Sequence, residues 1–390
     1  MKNQNAEYLA DSEEKISQQA QMFSNRLAKQ YKQLRKWARK NRISSYRLYD
    51  KDIPEIPLAC DLYTFLPDDV NDKLSAIVFF NEQNSRISKN DSGSAQVLTE
   101  ELSRTYLHMY LYERPYEKPE SEEEKWLNAM ADAACSTLNI ARQHVIIKTR
   151  KRQTGTQTSR NGQYEKILTD EKITGNVFEQ GQIFYVNLSE YIDTGLFFDH
   201  RPLRDLIRQS CAGKSVLNLF CYTCSFSVYA AEGRAKKIES VDLSNTYIDW
   251  GQKNMALNDF SNGEKYLFTR QDVVEFLKQK NTAKDSFYDI IILDPPTFSN
   301  SKRTDTTLDI NRDWIFLVKS CLTLLTETGT LYFSTNSRRL VFDENLLPKQ
   351  TDGTPLYYVK DITETTIPED YRNNKIHRAW KISKRQQSVI

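Results

Sequence analysis

Long apolar runs are missing from this 390-residue sequence. Nothing approaches the roughly 18 apolar residues of a membrane span. The polar start MKNQNAEYLADSEEK lacks the apolar stretch of a signal peptide, so a cytoplasmic address is expected. Cysteine is scarce as well. Six of them (Cys60, Cys135, Cys211, Cys221, Cys224 and Cys321) make no disulfide framework in so long a chain and are expected to be reduced. The four histidines, His108, His144, His200 and His377, stand singly without metal-ligand spacing, so zinc is not expected. Glycine nowhere forms the G-x-G-x-x-G turn that sets a dinucleotide's pyrophosphate against a helix N-terminus.

What the chain does have is unevenly spread charge. The net value is only +2, yet residues 24–47 hold nine basic residues (Arg26, Lys29, Lys32, Arg35, Lys36, Arg39, Lys40, Arg42, Arg47) and no acidic one. A second basic cluster, KTRKRQTGTQTSR, includes Lys148, Arg150 and Arg152, whereas acid collects in EKPESEEEK at 117–125. Such separation of sign predicts a polyanionic partner, RNA or DNA.

The length suits two domains. Phe23, Leu27, Tyr31, Leu34 and Trp37 recur at helical spacing with a basic opposite face, which predicts a basic amphipathic helix after a polar tail within residues 1–45. Residues 46–190 mix strand-like IPLACDLY, SAIVFF, HVIIKTR and GQIFYVNL with a helix around EEKWLNAMADAACSTL and polar loops at 81–94 and 113–123, a small α+β domain. From 191 to 390 strands and helices alternate. SVLNLF, KKIESVDL, KYLFTRQD, YDIIILDPP and GTLYFST read as strands of a doubly wound α/β sheet, and PLYYVKDI with HRAWKIS as an antiparallel edge pair.

Ligands of such sheets bind beyond the carboxyl ends of the strands. The first strand runs into Cys221-Tyr-Thr-Cys224, the second ends at Asp242, the third at Asp272 and the fourth at DPPTFSNSKR. The C-x-x-C spacing suits a redox pair, but it falls where an adenosine cofactor sits in this layout. Asp242, about twenty residues past the first turn, is placed to hold ribose hydroxyls. Without a glycine fingerprint, S-adenosylmethionine (SAM), which carries no phosphate, is favoured over a dinucleotide, and a sheet without a nucleotide stays open. Asp294-Pro295-Pro296 either stops a strand or forms a rigid turn with Phe298 stacking on a flat base.

Taken together, TGLFFDHRPLRDLI, VLNLFCYTCSFSVYAA, VDLSNTYIDWGQKNMALN, YDIIILDPPTFSNSKR and NRDWIFLVKSCLTLL resemble the bacterial 23S rRNA guanine-N7 methyltransferases of the RlmK type. The front end, NRLAKQYKQLRKWARKNRISSYRLYDKDIPEIPLACDLY, is similar to that family's basic helix and following strand. The resemblance implies a Rossmann-like class I SAM methyltransferase sheet after a smaller RNA-binding domain, acting on 23S rRNA or a large-subunit precursor, with no metal and no membrane. The chain resembles a free-standing version of an enzyme that is often fused to a second methyltransferase. By motif, the resemblance assigns the methyl donor to Asp199, His200, Arg201, Asn218, Phe220, Tyr222, Thr223, Asp242, Ser244 and Asp272, and the target base to Asp294, Pro295, Pro296 and Phe298, with Asn336 as a helper. It departs from the family at Cys224, where glycine is usual. Exocyclic-amine methylation (guanine N2 or adenine N6) remains open. Cytosine C5 ranks lower, because Ser334-Thr-Asn336-Ser holds no cysteine nucleophile. A non-catalytic RNA-binding or ribosome-assembly factor is the reading from another class.

Overall fold

A basic helix survives in water only if its apolar stripe is covered, and the residues after it supply the cover. A computed structural model of the chain describes residues 13–89, 92–114, 116, 118–150, 172–283, 287–299 and 307–385. The chain divides into two compact units, Met1–Phe198 and Asp199–Ile390. In the first, helix α1 (Glu13–Lys40) buries Ile16, Phe23, Leu27, Leu34 and Ala38 along one stripe. Its first turn is acidic and its last turn basic, as the helix dipole favours. The sheet order is β1 (Ser45–Asp50), β2 (Leu58–Thr64), β3 (Thr105–Tyr112) and β4 (Val145–Arg150), antiparallel except for the last pair. Between β2 and β3 lie α2 (Lys73–Lys89) and α3 (Ser92–Leu102), and α4 (Glu120–Leu138) precedes β4. The core joins α1, α4 and the sheet through Phe23, Leu27, Tyr49, Met109, Trp126 and Met130. A hairpin of β5 (Thr174–Glu179) and β6 (Gln182–Asn187) turns through Gln180 and Gly181, both at positive φ.

Two expectations fail here, and a third fails in part, since residues 120–123 of the loop expected at 113–123 already belong to α4. SAIVFF is part of α2 rather than a strand, and the loop expected at 81–94 is occupied, where described, by α2 and α3. The five apolar residues of this hexamer do not alternate in burial. Ala76 is buried, Phe79 and Phe80 are half-buried, and Leu74 and Val78 face water, which is a helical rather than a two-residue period. Phe80 anchors the helix on Phe178, their rings tilted with centroids 5.2 Å apart.

The second unit follows the sequence closely. Helix α5 (Arg201–Ser210) leads to β7 (Ser215–Leu219), α6 (Ser225–Glu232), β8 (Lys237–Asp242), α7 (Asn245–Leu257), β9 (Tyr266–Arg270), α8 (Val273–Ala283) and β10 (Tyr288–Leu293). A two-residue ribbon pairs β11 (Phe298–Ser299) with β12 (Leu308–Asp309) before α9 (Ile310–Thr323). Then come β13 (Leu325–Thr335), β14 (Tyr357–Asp361), the single turn α10 (Thr363–Thr366) and β15 (Arg378–Lys384). The sheet order is β14-β15-β13-β10-β7-β8-β9, with β15 antiparallel to both β13 and β14 and the other pairs parallel. Ile290 to Leu293 are all buried, as a central parallel strand covered on both faces requires. Strand order reverses between β7 and β10, which opens a crevice at their carboxyl ends.

Candidate active site

The segment after β7 takes an unusual path. Phe220, Tyr222 and Cys224, none of them glycine, have φ of 54°, 49° and 61°. Each such residue costs about 1–2 kcal/mol, so the surroundings must over-determine the turn. They do. Cys221 N–H donates to Val241 O at 3.0 Å, Cys224 N–H to Cys221 O at 2.8 Å, and the Asn254 amide to Thr223 O at 2.9 Å. Asp242 fixes the middle, its Oδ2 accepting Tyr222 N–H at 3.0 Å and its Oδ1 accepting Ser244 N–H at 2.9 Å. Burial raises the Asp242 pKa, and the N–H groups of Ser244 and Tyr222 work against that rise.

Cys224 is fully buried, its Sγ 3.5 Å from that of Cys221. It packs against Gly251 of α7, where an added Cβ would overlap the Cys224 sulfur and stand 3.0 Å from its Cβ. Burial pushes the Cys221 thiol well above its usual range, the opposite of what a thiolate nucleophile needs.

Other expected cofactor residues divide by environment. Asp242, Ser244, Tyr222 and Phe220 are partly exposed near the ends of β7 and β8. Ser244 caps α7, accepting from Tyr247 N–H at 3.4 Å, and Asp272 Oδ1 caps α8 through Val274 and Glu275. Three side chains face inward instead. The Asn218 amide donates to Ser227 Oγ at 2.9 Å, Thr223 is buried, and Arg201 pairs with buried Asp370 at 2.9 Å.

Asp294, at the end of β10, accepts from Ser334 Oγ at 2.6 Å and meets His200 Nε2 at 3.3 Å. His200 Nδ1 lies 3.3 Å from Asp199 Oδ2, and His377 Nδ1 reaches the same oxygen at 3.3 Å. The two imidazoles stack with centroids 4.7 Å apart. Burial alone would lower the His200 pKa, but the carboxylates of Asp294 and Asp199 outweigh it and push it up to about 10. Both carboxyls are in turn held low: burial opposes this, and His200 dominates for each. Ligand atoms of Asp199, His200 and His377 fall within 4.8 Å of one another, and the carboxylates on either side of His200 favour its charged form. With His200 charged, the cluster is an ion-pair network.

Beside Asp294, Pro295 is buried and Pro296 and Phe298 are half-buried. Phe298 is held by its pairing with Asp309, and the Thr297 hydroxyl donates to Asn336 Oδ1. Residues 300–306 lie outside the described residues. Ser334, Thr366 and His377 carry no local mark in the sequence, yet all three touch this network.

In the first unit, the basic face of α1 separates into two sets. Arg26 pairs with Asp52, while Arg39 and Arg35 share Glu101 at 2.7 and 3.9 Å. Lys29, Lys32, Lys36 and Lys40 are exposed along the helix. Lys148 is half-buried and donates to Tyr191 O; burial lowers its pKa to about 8 against the pull of Asp193. The Arg150 side chain and all of Arg152 lie outside the described residues.

Residues 91–371 match the family model of S-adenosylmethionine-dependent methyltransferases. Two solved structures share the fold. One, assigned as a methyltransferase and solved with S-adenosylhomocysteine, has a TM-score of 0.63 at 18% identity, and another, from Streptococcus mutans, has 0.61 at 19%. Each likeness covers 93% of this chain and 81% of the other. Among curated proteins, the ribosomal RNA large subunit methyltransferases K/L of Stutzerimonas stutzeri (strain A1501) and Pseudomonas putida (strain GB-1) are each 40% identical over 373 residues. Those alignments take in 95% of this chain but 43% of either relative, so the chain spans less than half of their length. The family match runs through the reversal-point crevice and Asp294, and with it the chain belongs to the S-adenosylmethionine-dependent methyltransferases.

Proposed function

We propose that the chain transfers a methyl group from SAM to guanine N7 of 23S rRNA. The observation that carries the choice of atom is Asp294. Its Oδ1 accepts from Ser334 and faces the His200 imidazolium, and its proton affinity is depressed. A carboxylate held so low is a poor general base. Guanine N7 has an in-plane lone pair and no proton to lose, so it needs none. Cytosine C5 needs a thiolate first, and Ser334 to Ser337 contain no cysteine.

The donor set suits SAM. Partly exposed Asp242 presents a carboxylate beside the β7 turn for the two ribose hydroxyls, Asp272 stands at the next strand end for the adenine amine, and Phe220 and Tyr222 flank the turn. When bound, SAM supplies an electrophilic methyl group on a positively charged sulfur. The chain's own work is orientation: the Pro295-Pro296 turn fixes where the base lies, Phe298 offers it a ring face, and alignment of reacting atoms contributes as much as about 7–11 kcal/mol. Asp294 stabilises positive charge passed to the purine. Lys29, Lys32, Lys36 and Lys40 supply phosphate contacts. The rRNA substrate is supported by the names of the 40% identical relatives.

Nucleoside mass spectrometry of 23S rRNA from a strain lacking the gene tests this. Loss of one N7-methylguanine, restored by wild type and not by D294A, is expected. Loss of N2-methylguanine or N6-methyladenine instead would move the reading to an exocyclic amine. No change in any methylated nucleoside, with no calorimetric heat on adding SAM, would leave a non-catalytic RNA-binding factor.

A further inference from the structure

The last strand brings a histidine to the catalytic end of the sheet. Antiparallel pairing of β15 with β13 sets Arg378 against Thr335, so His377 stands beside the carboxyl end of β13. Its ring is fully buried, with Nδ1 on Asp199 Oδ2 at 3.3 Å and Nε2 3.0 Å from Thr366 Oγ1. A carboxylate only accepts, so the Nδ1 facing it carries a proton. The same Oδ2 is 3.3 Å from His200, whose other nitrogen reaches Asp294. Four side chains from three distant parts of the chain are thus connected in the order His377, Asp199, His200, Asp294, and the two imidazoles that share Asp199 Oδ2 also stack on each other.

We propose that His377 is a positioning residue for methyl transfer. By holding Asp199 Oδ2 and covering the face of the His200 ring, it fixes the imidazolium, which in turn fixes the carboxylate of Asp294. The inference rests on the reading of Asp294 as the carboxylate that faces the target base. The effect concerns the orientation of Asp294 and, through Asp199 and His200, of residues that the family resemblance gives to the methyl donor; none of the contacts above reaches Asp242 or the β7 turn.

Two side-chain replacements separate the roles of the two ring nitrogens. In H377N the amide Nδ2 takes the place of ring Nδ1 and keeps the Asp199 bond. In H377Q the amide takes the place of Nε2 and keeps only the Thr366 side. Methylation of 23S rRNA from the gene-lacking strain should show kcat lowered about tenfold or more in H377A and H377Q, as expected for misplaced reacting groups, and largely restored in H377N. KM for RNA should stay within about twofold of wild type. With only four histidines in the chain, selective 15N-histidine labelling reads His200 without any substrate. Its doubly protonated imidazolium signals should persist at pH 8 in wild type and H377N and change in H377Q. Equal kcat and equal His200 signals in H377N and H377Q would overturn the proposal, even if H377A fails to fold. If D294A methylates at the wild-type rate, the reading of Asp294 fails, while the NMR comparison still decides whether His377 holds His200.

Discussion

Cys224 occupies a backbone conformation that suits glycine, and its neighbour Gly251 has no side chain where Cys224 puts its own. The two should therefore be energetically coupled. At φ 61° and ψ 29°, Cys224 carries a left-handed penalty of about 1–2 kcal/mol. Replacing it with glycine removes that penalty, but also removes a buried thiol lying with Cys221 and Ile248, at a cost of about 1–2 kcal/mol. The two terms nearly cancel, so C224G alone should change stability by less than about 1 kcal/mol.

G251A alone gains about 1 kcal/mol of helix propensity in α7. It also drives a methyl group into the Cys224 sulfur, and overpacking of this kind costs about 1–3 kcal/mol. In C224G/G251A the sulfur and its Cβ are gone. The next atom met by the new methyl is Thr223 C at 3.5 Å, an ordinary van der Waals distance. The methyl then fills the space the thiol left, the left-handed penalty is relieved and the helix propensity is kept. The double variant should be more stable than the sum of the singles by about 2 kcal/mol, within the range seen for neighbouring residues. For a unit of this size that is about 4–8 °C in Tm. Urea and thermal unfolding of the four proteins, followed by circular dichroism, measure it. Additivity to within about 0.5 kcal/mol would refute the packing argument. Calorimetric titration with SAM adds a second check: C224G should bind as tightly as wild type or tighter, because the turn keeps its backbone path.

Further outcomes follow from the same geometry. D242A should weaken SAM binding about 10- to 100-fold, since a hydrogen bond to a charged group contributes about 1.5–3 kcal/mol, measured by calorimetry. K29E/K36E should weaken RNA binding and lower the slope of log K against log salt by about one for each phosphate that is no longer neutralised, whereas R39E should chiefly lower Tm because Arg39 is held by Glu101. His200 titrates near 10 in the fold against 6.5 when free, so its stabilising contribution is full below about pH 6.5 and is lost as the pH rises toward 10. Tm of wild type should fall over that window, and that of H200Q should fall less.

The second unit was legible because its signals are local and agree with each other. YDIIIL is an unbroken apolar run closed by Asp-Pro-Pro, SVLNL is followed by a helix start, and each strand end carries a polar residue that caps or holds the next turn, as Asp242, Ser244 and Asp272 do. The first unit was less legible where a largely apolar hexamer could serve either period. SAIVFF has the composition of a strand, and only its tertiary neighbours, Phe178 above all, reveal which faces are covered. β1 and β3 were likewise missed, since SYRLYD and TYLHMYLY are rich in residues that suit either a strand or an aromatic helix face.

The site divides in the same way. Asp242 and Asp294 stand at strand ends, so the doubly wound arrangement alone marks them. Arg201 and Asn218 also fall in the right motifs, yet their partners, Asp370 and Ser227, turn them inward. His377 had no local mark at all. It is one of four scattered histidines and stands 178 residues along the chain from the Asp199 it meets. Its place follows from register: once HRAWKIS is read as the strand antiparallel to GTLYFST, its first residue must emerge where the parallel strands end. An antiparallel strand added beside a parallel one therefore contributes to the ligand face through its beginning rather than its end. A histidine there is brought against the carboxylates gathered by the neighbouring strand ends, and their charge, not its own sequence context, determines what it does.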